Sequence, residues 1–483
     1  MPVHKVTDFL SEISAFFKKD DAHSAMYSIM DVIKWLKMTE SSLFGMKSKC
    51  NNIYSLLQVF QALLLYPCFM IRNPYHFHDS SLSGLLNCKK DVFYRFMSNP
   101  KIDWRKLVYH LNMQLWSKIK VRSEHKENTT CLIVDDTDYP KTGRRFEYIG
   151  RVHSHVQHRS ILGFKALFLA ITDGTSQMIL DFALLGEKGR KGNFGMSAKE
   201  LKDRFTKPRD EQDALQERIN EYTASKISLM IDMIKRAIGK GMKFRYVLAD
   251  SWFACKDIIR FVRSRHMKCD YLGMIKIGES GRTKYHFERK DFTAPALIKL
   301  LSKRKRRKYN RKLRCYYMVA DVVFADTKVR LFFVKRSKNA AWNGLITTDT
   351  TLDFLCAYKI YAQRWALEVV FKEAKGLLGL GKCQANNFAS QIAATSLTAL
   401  QYNILSLVKR FAAYETMGKL FEKVSKDSLE LSIIERIWGT LQELIMAIAN
   451  LFGLADEDIY DVMINRSEEM NHICNIYKLK LAS

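Results

Sequence analysis

Between Thr129 and Ile277 short apolar runs alternate with stretches of helical periodicity, and this alternation constrains the fold more than any other feature of the chain. CLIV at 131–134, FKALFLAIT at 164–172 and QMILDFALL at 177–185 have strand length and β-branched content, and TDG at 172–174 marks a hairpin turn between the last two. A polar, charged stretch from Glu187 to Asn220 leads into a helix over roughly Tyr222 to Lys240. The buried-type strand YVLA (246–249), a helix from Cys255 to Arg265 and the strand CDYLGMIKI (269–277) follow. Strands and helices in this order predict an α/β core in which helices pack on a sheet.

The flanks read differently. Up to about residue 125 the pattern is helical, with Phe9, Leu10, Ile13, Phe16 and Phe17 at helical spacing and again Ile53, Leu56, Leu57, Phe60, Leu63 and Leu64. SSLSGLLN and DVFYRFMS, joined by CKK, fit either a helix-turn-helix that reads DNA or a short helical hairpin in a bundle. From 278 to 346 basic, β-prone segments such as CYYMVADVVFA (315–325) and VRLFFVK (329–335) predict a mostly β insertion. Helical patterning resumes at Thr351, and Leu431, Ile434, Ile437, Trp438, Leu441, Leu444 and Ile445 outline a late amphipathic helix. No internal repeat is visible.

Charge narrows the class of partner. Lysine and arginine number 78 against 50 acidic residues, a net +28 that attracts polyanions, nucleic acid foremost. With 47% hydrophobic and 27% charged residues the composition is that of a folded, soluble protein rather than a disordered one. The ten cysteines form no CxxC pair and no Cys/His cluster at zinc spacing, which argues against a zinc finger or a redox motif and for a reduced compartment. The N-terminal residues lack the long apolar stretch of a signal peptide. The most apolar segment, Val59 to Ile71, is interrupted by Gln61 and Pro67 and reads as core, so no membrane association is expected.

Three acidic groups carry the chemistry. In IVDDTD, Asp135, Asp136 and Asp138 sit at the end of an apolar strand, where a carboxylate is held rigidly yet reaches solvent. In YVLADSWF, Asp250 directly follows a buried strand. Alone, either string equally suits a turn or an N-cap. YAQRWALEVVFKEAK sets Tyr361, Arg364, Glu368 and Lys375 at offsets that fall within an arc of about 60° on one helix, giving a phenol, two cations and a carboxylate on one face. A solvated face with an Arg364–Glu368 ion pair has the same pattern. Three carboxylates from separate segments suit two Mg²⁺ ions, which take oxygen ligands and, in pairs, assist phosphodiester attack.

The spacing Tyr361, two residues, Arg364, three residues, Glu368, six residues, Lys375 resembles the signature of transposases with a DDE catalytic triad, specifically the insertion sequence four family. IVDDTD and YVLADSWF resemble that family's aspartate motifs in the same order, and the likeness runs over roughly 129–390, taking in GFKALFLAITDG and GLLGLGKCQANNF. The resemblance implies an RNase H-like core interrupted by a β-rich insertion before the glutamate helix. It divides the chain into a helical N-terminal DNA-binding region (1–125), a first core part (126–277), the basic insertion (278–346), a last core part (347–410) and a helical C-terminal region (411–483). It makes Asp136, Asp250 and Glu368 the catalytic, metal-binding acids, with Asp136 preferred because Thr137 follows it and Asp135 as the alternative. It gives Tyr361, Arg364 and Lys375 phosphate contacts near the transposon end.

Two further features join this set. KRKRRKYNRKLR, Lys303 to Arg314, holds nine basic residues in twelve, with Arg304, Arg306 and Arg307 among them, and fits either a solvated loop or contact with the DNA backbone. Trp342 fits either a ring that stacks on a displaced base or a core residue. Taken with the resemblance, the expectation is a bacterial, cytoplasmic, nucleoid-associated transposase. It would cut double-stranded DNA at inverted terminal repeats and join the ends to target DNA, using two Mg²⁺ ions (Mn²⁺ substituting) and working as a homodimer in a synaptic complex. The rivals are a nuclease that cuts without joining and a domesticated DNA-binding protein.

Overall fold

Twelve strands form one mixed sheet, and its centre is built from the apolar runs that the sequence sets between helices. The computed structural model describes residues 9–18, 24–45, 54–86, 88–122, 129–188, 192–202, 207, 210–265, 267–278 and 282–453. In chain order the strands are β1 (Cys131–Pro140), β2 (Gly150–Ser154), β3 (Arg159–Thr172), β4 (Gln177–Leu185), β5 (Tyr246–Ala249) and β6 (Asp270–Ile275). They continue with β7 (Lys284–Phe287), β8 (Lys290–Thr293), β9 (Lys308–Asn310), β10 (Cys315–Phe324), β11 (Thr327–Lys335) and β12 (Asn343–Thr347).

The sheet runs β2-β3-β1-β5-β6-β12-β11-β10-β7-β8, with β4 beside β3 and β9 beside β10. Among the described residues only the β1–β5 and β5–β6 pairs are parallel. Cys131–Val134, all of β4 and all of β5 are buried on consecutive residues, as strands covered on both faces must be. The β3–β4 hairpin closes as its sequence requires: Gly174 takes the left-handed φ of +87°, and the Asp173 carboxylate accepts from the backbone N–H groups of Thr175 and Ser176 at 3.0 and 2.8 Å.

The chain divides into two compact units. One, Ile119–Gln212 with Gln216–Lys372, holds the sheet; the other comprises Met1–Lys118, Asp213–Leu215 and Glu373–Ser483. In the second, the helix Phe388–Phe411 is buried over nearly its whole length. Its Asn403 donates to Asn112 at 2.7 Å and its Gln401 to the Leu63 carbonyl at 2.9 Å, so these polar groups on the buried helix are satisfied. The Asp427 carboxylate accepts from Ser24 Oγ and Met26 N–H, each at 2.9 Å, at the start of the helix Ala25–Trp35.

Three segments add detail to the sequence expectations. The 278–346 segment holds β7 to β11 and also a helix, Ala294–Lys303, with a proline in its first turn, and β12 joins it to β6, so its strands continue the central sheet. SSLSGLLN yields only a single helical turn, Leu82–Leu85, before the helix Lys90–Met97, too short for the paired helices of a helix-turn-helix. The late helix Met417–Phe452 forms, yet Ile437, Leu441 and Leu444 on it are exposed. Ile53 and the side chains of Phe9, Phe16, Ile434 and Trp438 lie outside the described residues.

Candidate active site

Side chains alternate across a strand, so Asp135 and Asp136 point to opposite faces of the sheet. What each face meets is fixed by neighbours. Asp135 is paired in register with Phe168 on β3, and the Phe168 ring meets Phe371 of the helix Trp365–Leu377 at 5.2 Å. The face of Asp135 is therefore the one that receives the glutamate helix. Asp136 instead accepts from Lys226 Nζ at 3.0 Å, the first residue of the helix Lys226–Gly239, which packs on β3 and β4 from the other side.

Asp250 joins Asp135. The parallel ladder pairs Val134 with Ala249, so Asp135, midway along β1 where its pairing with β5 stops, and Asp250, the residue after β5, come next on two adjacent central strands. The Asp250 carboxylate accepts from the Trp252 N–H at 2.7 Å, closing the tight turn that follows β5. Asp135 thus shares a face with Asp250 and the glutamate helix, and Asp136 does not.

The Tyr361–Lys375 segment is not one helix. One helix ends at Ala362, another begins at Trp365, and between them Gln363, Arg364, Ala366 and Leu367 donate to carbonyls three residues back, at 2.9–3.2 Å. Each residue of such a turn advances by about 120° rather than about 100°, which turns Tyr361 by a few tens of degrees relative to Glu368. No proline or glycine lies in this stretch to cause the break. It coincides with Arg364, whose guanidinium is held from two sides: it donates to Asp135 Oδ2 at 2.7 Å and to Glu368 Oε1. The helical ion pair that the spacing also allows is present, and it is extended to a third residue on β1.

Burial pushes the Asp135 carboxyl up to about 7. Arg364 and the Asp136 backbone N–H oppose that shift, and the neighbouring Asp250 and Asp136 add to it. Burial likewise pushes the Tyr361 phenol up to about 12, and its buried hydroxyl has no hydrogen-bond partner among the described residues. For Arg364 burial works against the charge, but Tyr361, Asp135 and Glu368 together hold its pKa above the ordinary value. Carboxylate oxygens are the donors that Mg²⁺ takes. As arranged here, with Arg364 between Asp135 and Glu368, no group of three or more His, Cys, Asp or Glu among the described residues is disposed to hold a metal ion.

The remaining sequence candidates are dispersed. Lys375 is half-buried about two turns beyond Glu368 on the same helix, past the boundary between the two units at Lys372/Glu373. Trp342 is half-buried ahead of β12 with Lys335 Nζ 4.9 Å from its ring centre. The basic run is no loose loop: it ends the helix Ala294–Lys303, forms edge strand β9 and turns into β10. Arg304 pairs with Glu288 at 2.7 Å and Arg307 lies 5.1 Å from the Tyr316 ring centre, while Arg306 is exposed.

Two lysines near the acids escape the sequence reading. Lys165, only 3% exposed, pairs with Asp138 directly across the β1–β3 ladder, lies 3.7 Å from Asp136 and donates to the His153 carbonyl at 2.8 Å. A lysine inside the apolar run FKALFLAIT was the signal, since a buried ammonium requires a carboxylate. Lys226 follows the N-cap Ser225 and carries no comparable mark.

The family described as DDE superfamily endonuclease has a sequence model that matches residues 82–320, just under half of the chain. The match supports the DDE transposase superfamily. It takes in Asp135, Asp136 and Asp250 and stops short of Glu368. Among solved structures the chain is similar to the piggyBac transposase synaptic complex with hairpin DNA, at 11% identity and a TM-score of 0.41, over 88% of this chain and 80% of that one. No curated protein matches the sequence. Among the described residues no helix is long and apolar enough to cross a membrane.

Proposed function

We propose that the protein is a transposase of the insertion sequence four type, cutting double-stranded DNA at the inverted ends of its element and joining the freed ends to target DNA. The observation that carries this is the placement of Asp135 and Asp250 side by side on adjacent parallel strands, just past their last paired residues, with Glu368 tied to Asp135 through Arg364. The strand order β4-β3-β1-β5-β6, antiparallel on one side of β1 and parallel on the other, supports an RNase H-like core. The superfamily match supports a transposase-type nuclease.

In this reading Asp135, Asp250 and Glu368 would hold divalent ions, Mg²⁺ or Mn²⁺, which when bound activate the attacking oxygen and stabilise the leaving one. Tyr361, Arg364 and Lys375 orient the phosphates of the DNA end, and the exposed basic edge at β9 tracks its backbone. Two ends must meet for joining, which makes a homodimer the working form.

Purified protein incubated with paired terminal-repeat DNA, Mg²⁺ and a target plasmid tests this. The wild type yields cleaved ends and joined product, Asp135→Asn yields neither, and Asp136→Asn retains both. Cleavage without joined product would make the protein a nuclease, and activity lost in Asp136→Asn but kept in Asp135→Asn would reverse the assignment of the first acid.

A further inference from the structure

Arg364 occupies a position that the proposed chemistry also requires for something else. Its planar guanidinium spans two carboxylates that are 233 residues apart in the chain, donating through Nη1 to Asp135 Oδ2 at 2.7 Å and through Nη2 to Glu368 Oε1. Both acids and the arginine are largely buried, with side chains 15%, 34% and 15% exposed for Asp135, Glu368 and Arg364. Each carboxylate keeps further lone pairs, but a Mg²⁺ that bridges the two acids at about 2.0–2.1 Å has to sit where the guanidinium now lies between them. A guanidinium and a bridging dication cannot fill the same place.

We propose that Arg364 competes with the divalent cation for Asp135 and Glu368, and that a DNA phosphate draws it away, so that cation and DNA bind this site cooperatively. The proposal rests on the transposase reading. It assigns Arg364 a positioning role that depends on what is bound. A phosphate offers a guanidinium the same two-pronged acceptor as a pair of carboxylates, so Arg364 exchanges one set of hydrogen bonds for an equivalent one.

The surroundings favour that exchange. The Tyr361 hydroxyl is buried and its ring centre is 5.9 Å from the Arg364 guanidinium carbon, so a second donor stands beside the arginine. Lys226 and Lys165 serve Asp136 on the opposite face and do not take over Asp135 when Arg364 leaves. The packing of Phe168 on Phe371 anchors the glutamate helix on the sheet, which confines the change to a side chain.

The test is Mn²⁺ binding, read from the free-ion signal in electron paramagnetic resonance, on the full chain with and without a short duplex carrying the element's end. For the wild type, DNA tightens Mn²⁺ binding by about 10- to 100-fold, a usual coupling between two sites. Arg364→Ala binds Mn²⁺ that tightly without DNA and gains little from adding it. Arg364→Gln, which keeps much of the side-chain length, behaves alike and serves if the alanine variant melts early. Lys226→Ala removes a charge beside Asp136 and behaves as wild type.

If Arg364→Ala and Arg364→Gln bind Mn²⁺ no more tightly than wild type without DNA, the competition is refuted. Equal tightening by Lys226→Ala would reduce the effect to lost positive charge and also refute it. If every protein binds Mn²⁺ tightly whether or not DNA is present, the metal reading stands and the coupling alone falls. If none binds even with DNA, the metal-dependent transposase reading falls as well.

Discussion

Two buried carboxylates in the sheet unit have arginines beside them, and they are solved in opposite ways. Asp181 on β4, with a fully buried side chain, lies between Arg236 Nε at 2.8 Å and Arg218 Nη1 at 3.5 Å, and both arginines also reach Glu221. Two guanidiniums face two buried acids, and Phe182 N–H donates to Asp181 Oδ1 at 2.8 Å as well. At Asp135 a single guanidinium serves both Asp135 and Glu368, and Asp250 adds another carboxylate at the end of the neighbouring strand. The exposed Glu217 also lies 3.7 Å from Arg236, yet each buried acid of the first cluster has two guanidiniums, whereas the second has one guanidinium among three carboxylates in a protein whose overall charge is +28. Balance marks a structural network, and an uncompensated excess marks a place where a cation or a proton is still to come.

Substitution separates the two most strongly. Asp250→Asn keeps the oxygen that accepts from Trp252, so the turn after β5 survives and the melting temperature stays near that of wild type. Cleavage falls on the order of 10³-fold, the equivalent of several kcal/mol of lost transition-state stabilisation. Asp181→Asn does the reverse: it leaves the buried Arg218 and the part-buried Arg236 with Glu221 as their one remaining buried carboxylate and destabilises the fold by about 3–5 kcal/mol. Melting curves and end-cleavage rates for the two variants check this. A stable, active Asp181→Asn, or an Asp250→Asn that unfolds, would erase the contrast.

The contrast also shows what a sequence discloses. The strands at 131–134, 164–172, 177–185 and 246–249 are legible because apolar runs of that length have few other folds, and Asp250 is legible as the residue that ends one of them. The choice between Asp135 and Asp136 is not. It depends on which face of β1 receives the glutamate helix, and that is set by Phe168 meeting Phe371 across more than two hundred residues. The break at Gln363 and Arg364 is equally hidden, since every residue there is compatible with a continuous helix and only the tertiary hold on Arg364 accompanies the tighter turn. The helix Ala294–Lys303 carries a mark that the β reading of 278–346 passes over: APALIKLLSK has a proline in its first turn followed by alanine and leucine at helical spacing.

A smaller effect is expected at the basic edge of the sheet. Lys303–Arg314 is exposed along β9 and its flanking turns, where positive side chains both guard an edge strand and attract phosphates. Arg306→Ala with Arg307→Ala weakens DNA binding similarly for all sequences and lowers the slope of log affinity against log salt by about one for each phosphate that is no longer neutralised. Fold and Mn²⁺ binding stay as in wild type, since neither arginine touches the acids. An unchanged salt slope would assign the run to edge protection alone.

The last effect is one of pH, and it falls on Asp135 because burial above all, with its acidic neighbours adding to it, holds its carboxyl up. Its carboxyl holds a proton up to about 7 in the folded protein, against roughly 4 for an unfolded aspartate. Between those values the folded state binds more protons than the unfolded one, so stability decreases as pH rises. The stabilisation is fully present below the unfolded value and is lost as pH passes through about 7. Melting temperature measured in a chelator from about pH 4 to 8 should therefore fall toward the alkaline end for the wild type, and Asp135→Asn should flatten that slope by removing the titrating group. An unchanged slope in Asp135→Asn would mean that Arg364 already neutralises Asp135 as completely as Arg218 and Arg236 neutralise Asp181, and the two clusters would then differ in composition but not in electrostatic state.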